Sequence, residues 1–319
     1  MLSWIRQRVR RAYLRELKQS IETPPAHIAV IQDGNRRYAR EHGLESSDGH
    51  AHGAETTEEM LHWCDEISIE EVTLYTLSTE NFSRPDDELT SLFDLITEKL
   101  YKLADADLIH ENGVRIHALG ELSQLPQQVV DAVHYAEHQT ADYRQLKLNI
   151  ALAYGGRNEL LRSTQQIVRD VADGELRPVD ITTETIEDQL YREPLREVDL
   201  IIRTGGDERT SNFLPWHANG NQAAVYFCTP YWPEFDKIEF FRAIRTYESR
   251  ESTWQQDRVR RAIALVRALA ETGYQDRPRV INRLHQQLTS EEVAEFAEEV
   301  DTDHPPDQAH HNIDLSGED

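Results

Sequence analysis

Six short aliphatic and β-branched runs constrain this chain most: 28–31, 72–77, 114–119, 147–152, 198–202 and 224–227. Most lead into a polar loop and then a segment of helical period. Repeated strand, loop and helix predict an α/β fold, with a mostly parallel central sheet and helices on both faces. In such sheets ligands bind outside the carboxyl ends of the strands. The polar clusters of this sequence fall there: Gln32-Asp33-Gly34-Asn35, Ser78 to Pro85, Ala153 to Glu159 and Arg203 to Asn212. An Asp-Gly turn explains the first cluster by itself. Separate turns do not explain why four such clusters share one rim.

The rim is rich in Arg36, Arg37, Arg84, Arg203 and Arg209, with glycine turns, hydroxyls and a few acids. Arginine forks and free backbone N–H groups at a helix start recognise phosphate or diphosphate. Asp33 is a candidate Mg²⁺ ligand, since Mg²⁺ takes one or two carboxylates together with phosphate oxygens. The sequence has no GxxxxGK[ST], GxGxxG or GxSxG, and no Cys/His pairing that suggests a nucleophile. An arginine-rich, Mg²⁺-assisted site without a nucleophile suits ionisation of a diphosphate ester with pyrophosphate leaving.

Fifty-eight acids against 34 bases give a formal charge of −24, which argues against a nucleic-acid partner. Only five bases are Lys, a balance expected of a protein kept soluble in concentrated salt. Cys64 and Cys228 form no CxxC, so a reducing, cytoplasmic setting is expected. Residues 1–24 read as a basic amphipathic helix, whose first 20 residues set Arg6, Arg8, Arg10, Arg11, Arg15 and Lys18 against a single acid, Glu16. It suits either peripheral contact with the inner face of an anionic membrane through residues 1–20, or packing on its own domain. Residues 25–287 form the expected single catalytic domain, whose last third, including 257 to about 269, reads as helical. Residues 288–319 are acidic and expected to be disordered. A helix is expected from 86 to about 108, with an apolar stripe serving as core or as the wall of a long cavity.

Taken in order, the blocks resemble the cis-prenyltransferases (undecaprenyl or dehydrodolichyl diphosphate synthases). They are His27-x3-Ile31-x-Asp-Gly-Asn-Arg-Arg37, Gly49-His50-x2-Gly53, Thr73-Leu-Tyr-x2-Ser78-Thr-Glu-Asn-Phe-x-Arg-Pro85, Leu148-Asn-Ile-Ala-x2-Tyr154-Gly-Gly-Arg157, Asp199-Leu-Ile-Ile-Arg-Thr-Gly-Gly206, Arg209-x-Ser-Asn-Phe213 and Tyr226-Phe to Trp232-Pro-x-Phe235. The resemblance implies condensation of isopentenyl diphosphate onto an allylic diphosphate with Z geometry, giving a long polyprenyl diphosphate for a glycan carrier lipid. It also implies a hydrophobic product tunnel and a homodimer.

By the same resemblance Asp33 organises Mg²⁺, and Gly34, Asn35, Arg36, Arg37, Tyr38 and His50 hold the allylic diphosphate. Ser78, Thr79, Glu80, Phe82 and Arg84 position the reacting ends, with Asn81 as a proton-transfer residue. Arg203, Arg209 and Ser211 bind the diphosphate of isopentenyl diphosphate. Tyr38 and Phe82 stand where the family often has Trp, and Ser46 where bacterial members have Arg. The family's metal-assisting Glu has no counterpart, because no acid lies between Glu208 and Glu234. Gln222 or Ala224 falls at its place. The expected activity is therefore a cis-prenyltransferase, and the alternative is a weakly active or non-catalytic partner subunit or lipid binder.

Overall fold

The computed structural model describes residues 2–253 apart from 192, 194 and 218–222. Gln222, the expected helix from 257 to about 269 and the acidic tail lie outside the described residues. The chain divides into two compact units, Met1–Arg250 and Glu251–Asp319. Only 251–253 of the second are described.

The first unit is built on a six-stranded, wholly parallel sheet: β1 (His27–Ile31), β2 (Glu71–Tyr75), β3 (Val114–Leu119), β4 (Leu146–Ala151), β5 (Leu200–Arg203) and β6 (Ala224–Phe227). The spatial order is β3-β4-β2-β1-β5-β6. Every expected strand is present, with ends shifted by up to two residues. Parallel strands are covered on both sides, which is why these runs are apolar throughout rather than alternating. Ile28 and Val30 join one core cluster with Leu74, Leu148 and Ile202, while Ala29 and Ile31 join a second with Ala151 and Ile201. Alternate residues of each strand thus feed two cores, one per face.

The helices are α1 (Leu2–Gln19), α2 (Asn35–Glu41), α3 (Ser46–Asp65), α4 (Asp86–Ala104), α5 (Asp107–Glu111), α6 (Gln127–Gln139), α7 (Gly156–Ala172), α8 (Thr183–Leu190) and α9 (237–250 within this unit). The long helix expected from 86 to 108 breaks at Asp105-Ala106, and α5 starts afresh after Ala106 in extended geometry. Its stripe does both things the sequence allowed. Phe93 is core and packs on Phe82 at 6.0 Å, while Leu92, Leu95, Ile96, Leu100 and Leu103 line a cavity.

α1 packs on its own unit through Leu17 (2 % exposed), with Arg10 bonded to Asp236 at 2.6 Å and Lys18 to Glu66 at 2.9 Å. Trp4 and Val9 remain 57 % and 63 % exposed. No helix among the described residues is long and apolar enough to cross a membrane.

α2 and α3 pack closely because Gly49 faces α2. A Cβ there would lie 2.2 Å from Asn35 O and 3.0 Å from Ala39 Cβ. Gly49→Ala should therefore lower stability by about 1–3 kcal/mol, despite the better helix propensity of Ala. Urea unfolding at fixed salt checks this, and an unchanged midpoint would show that α2 yields freely.

Candidate active site

The carboxyl ends of β1, β2, β4 and β5 converge on one rim. Asp33, two residues past β1, is tied to the loop after β5 by its backbone. Its N–H donates to Thr204 Oγ1 at 3.1 Å, and its carbonyl accepts from Thr204 Oγ1 at 2.7 Å and from Trp232 N–H at 3.0 Å. Its carboxylate lies 2.7 Å from Arg203 Nη2 and 3.1 Å from Arg37 Nη2. Burial alone would raise this carboxyl, but hydrogen bonds and charge from Arg203 and Arg37 outweigh it and hold Asp33 below the usual carboxylate range. Arg203, buried on the last residue of β5, also donates to Ser211 Oγ at 2.6 Å and Arg209 O at 2.5 Å. The groups expected to bind isopentenyl diphosphate are thus joined through one guanidinium.

The second strand end forms a 3-10 turn, Thr79–Ser83, closed by a capping box in which Asn81 Oδ1 accepts from Ser78 N–H at 2.8 Å. Thr79 N–H donates to Tyr154 O at 2.9 Å, pinning the turn to the end of β4. Arg84 follows the turn, and its guanidinium shares Glu88 Oε1 with Arg36, each at 3.1 Å. Half-buried His50 sits among these cations. Burial, then the charges of Arg84 and Arg36, lower its imidazole to about 4, and its Nε2 has no protein partner.

Two cavities meet at this rim. One, of about 390 Å³, has a polar mouth of Asp33, Asn81, Arg84, Arg203, Arg209 and Ser211. Its other walls include Leu74, Leu92, Ile96, Leu100, Leu103 and Ile150, with Thr57, Glu58 and Lys99 among them. The second, of about 650 Å³, is lined by Gly34, Asn35, Arg36, Arg37, Arg40, Ser46, His50 and Arg84. Ser46 Oγ and Asn35 Oδ1 are buried there without partners, like His50 Nε2. Four arginines and several unfilled hydrogen-bonding groups around one space make a cradle for an anion.

Most expected site residues therefore come together: Ser78 and Glu80 line the first cavity, which also takes in Asn35 and His50. Three stand apart from both. Tyr38 stacks near His42 (4.2 Å) and His52 (5.7 Å), Phe82 packs on Phe93, and Thr79 serves the turn through its backbone. Sequence reading assigned no site role to Arg40, Thr204, Asp207 or Glu88. Glu88 had a signal, since it stands four residues after Arg84 on a helix start. Asp207 and Thr204 had none beyond their place in the β5 loop.

His50 should titrate near pH 4 by NMR in the free protein, hence be neutral across pH 5–8. A bound anion offsets Arg84 and Arg36, so saturating pyrophosphate should move that titration upward. A His50 titration near 6.5 in the free protein would contradict this environment.

Comparison with known proteins agrees with this geometry. Residues 31–255 match the family model described as putative undecaprenyl diphosphate synthase. A relative from Haloarcula marismortui is 54 % identical over 290 residues, covering 91 % of this chain and 95 % of its own. One from Halobacterium salinarum is 58 % identical over 272 residues, covering 85 % and 89 %. Both are named tritrans,polycis-undecaprenyl-diphosphate synthase (geranylgeranyl-diphosphate specific). Among solved structures, lavandulyl diphosphate synthase from Lavandula x intermedia, in complex with dimethylallyl diphosphate, aligns with a TM-score of 0.65 at 28 % identity, covering 70 % of this chain and 95 % of its own. A probable undecaprenyl diphosphate synthase from Campylobacter jejuni aligns at 0.58 and 30 %, covering 71 % and 96 %. On the family model and on these identities, this chain belongs to the cis-prenyltransferase family.

Proposed function

We propose that this chain elongates geranylgeranyl diphosphate with successive units of isopentenyl diphosphate, in Z geometry, to make a long polyprenyl diphosphate for a glycan carrier lipid. The observation that carries the reading is a single cavity that takes in both the arginines at the strand ends and a row of aliphatic side chains from α4. An anionic head and a growing hydrocarbon tail need those two surroundings. Arg36, Arg37, Arg40, Arg84 and neutral His50 hold the allylic diphosphate. Arg203, Arg209 and Ser211 hold the diphosphate of the incoming unit. In each cycle the allylic C–O bond breaks with pyrophosphate leaving, a C–C bond forms to the terminal alkene carbon, and one proton departs. Asn81 lines the mouth. A neutral amide has no basicity to keep a proton, so its part is to orient the reacting ends and the departing proton. Leu92, Ile96, Leu100 and Leu103 of α4 shield the tail from water in the product tunnel.

Mg²⁺ fits the donor set, because Asp33 is a hard oxygen ligand kept anionic among phosphate-binding groups. Asp33 would hold it, and the ion would supply charge to the leaving diphosphate. The reading keeps residues 25–287 as one catalytic domain acting as a homodimer in the cytoplasm. It also lays α1, through the exposed Trp4, on an anionic membrane surface, where the growing tail is needed.

The test is incorporation of labelled isopentenyl diphosphate into extractable lipid in high salt with Mg²⁺, primed by geranylgeranyl or farnesyl diphosphate. The expected outcome is polyprenyl product primed best by geranylgeranyl diphosphate, with Asp33→Ala reducing turnover by about a hundredfold or more. Arg209→Ala should raise KM for isopentenyl diphosphate and leave KM for the primer alone. Silence in the wild type with recovery in Gln222→Glu would replace this reading with a lapsed catalyst. For the membrane contact, co-sedimentation with anionic vesicles should weaken in Trp4→Glu. Equal binding of both forms would remove α1 from that role.

A further inference from the structure

Three carboxylates stand among the rim arginines, Asp33, Glu88 and Asp207, and only Asp33 has a ligand-binding role so far. Asp207 follows the Gly205-Gly206 turn, where both glycines have positive φ, 83° and 78°. A Cβ on Gly205 would lie 2.6 Å from Arg37 Nη2 and 3.2 Å from Asp33 O. Only glycine allows this turn to close on that pair. Asp207 Oδ2 then stands 3.2 Å from Arg209 Nη2, 3.4 Å from Arg203 Nη2 and 3.6 Å from Arg37 Nη2.

Two of those nitrogens are the ones Asp33 uses. Arg203 Nη2 lies 2.7 Å from Asp33 Oδ2, and Arg37 Nη2 lies 3.1 Å from Asp33 Oδ1. Each is a positive point shared by a carboxylate from the β1 end and one from the β5 loop. A cation shared between the two acids would have the same surroundings. Independently, Arg203 is only 3 % exposed, lines the mouth of the cavity, and has an Nε proton without an acceptor. A buried guanidinium N–H left unpaired points to an oxygen that arrives with a ligand.

The other acids nearby fit less well. Glu88 neutralises Arg36 and Arg84, and shares with Asp33 neither of the nitrogens that Asp207 shares. Glu80 is exposed and belongs to the 3-10 turn. Among the described residues no three His, Cys, Asp or Glu stand together for a metal, so those residues alone form no complete cage. Two carboxylates, completed by diphosphate oxygens and water, are the kind of site Mg²⁺ occupies.

We propose that Asp207 is the second carboxylate of a divalent-cation site shared with Asp33, assembled when a diphosphate draws Arg203 and Arg209 onto its oxygens. The inference rests on the diphosphate-binding reading above. It also explains how the chain meets its need for a second acid with none between Glu208 and Glu234.

Equilibrium dialysis of Mn²⁺ against the full chain, with inorganic pyrophosphate on both sides and KCl fixed, measures this without turnover. The wild type should take up about one ion per chain, and Asp33→Asn and Asp207→Asn should each weaken uptake by about tenfold or more. Asp207→Glu should retain most of it. Labelled pyrophosphate binding without metal should change little in Asp207→Asn, since the three arginines remain. Wild-type Mn²⁺ affinity in Asp207→Asn, with loss in Asp33→Asn, would overturn the role of Asp207 and leave the diphosphate site standing. Loss of metal-free pyrophosphate binding as large as the loss of metal would also overturn it, because Asp207 would then act only through the arginines. No uptake by the wild type would remove both readings.

Discussion

The contact between Asp33 and Arg203 governs the geometry of the site. Arg203 is almost wholly buried at the end of β5, and a guanidinium in that position is tolerated only if acceptors surround it. Asp33 supplies a charged one, while Ser211 and the carbonyl of Arg209 supply the neutral ones. The backbone of Asp33 is fixed by Thr204 and Trp232, so the carboxylate cannot retreat from the arginine it neutralises. Two strand ends far apart in sequence become one rigid rim. Removing the acid would leave a buried, uncompensated cation, a structural injury as well as a chemical one. An amide at position 33 keeps the shape and isolates the charge.

That local charge matters because the protein as a whole carries the wrong sign for its ligands. At −24 the chain repels diphosphates over long distances in dilute salt. At molar ionic strength the Debye length is about 3 Å, so distant acids are screened and only the facing arginines are felt. The rim concentrates Arg36, Arg37, Arg40, Arg84, Arg203 and Arg209 around two cavities. Glu88 and Asp207 hold subsets of them in place. Each acid offsets repulsion between neighbouring cations.

Much of this was legible in the sequence because a parallel sheet writes itself as separate apolar runs, and because its binding rim must follow them. The six strands and Asp33, Arg84, Arg203, Arg209 and Ser211 needed little more than that rule. What escaped depends on contacts across the chain. Asp207 lies 170 or more residues from Asp33 and Arg37, and nothing in Gly-Gly-Asp-Glu announces that its carboxylate will share their guanidinium groups. Tyr38 and Phe82 stand at positions of the family's blocks where Trp is common, yet they face His42 and Phe93, because a one-residue step turns a side chain by about 100° on an α-helix and about 120° on a 3-10 turn. The break at Asp105-Ala106 was hidden because an apolar period continues across it.

Tyr154 shows how deeply the rim is supported. Its backbone N–H donates to Leu77 O at 3.0 Å and its carbonyl accepts from Thr79 N–H at 2.9 Å, so it clamps the turn that carries Asn81 and Arg84. Its ring meets Tyr75 and Phe213 edge-on, and Tyr75 stacks on Phe213 at 4.4 Å beside the Ser211 loop. Beneath the ring, Tyr154 Oη donates to Glu159 Oε2 at 2.5 Å, and Tyr191 Oη lies 3.3 Å from the same oxygen. Burial raises Glu159 to about 7, against the pull of those hydroxyls and Arg162. A carboxyl with a raised pKa favours the fold most when protonated, and that contribution fades as pH rises from the ordinary Glu value of 4.5 through about 7. The loops proposed to grip the two diphosphates are thus held from below by a polar cluster whose own charge changes near neutrality. Stiffness at the rim and burial beneath it are one design, because a turn can be exposed to substrate only if its other side is anchored.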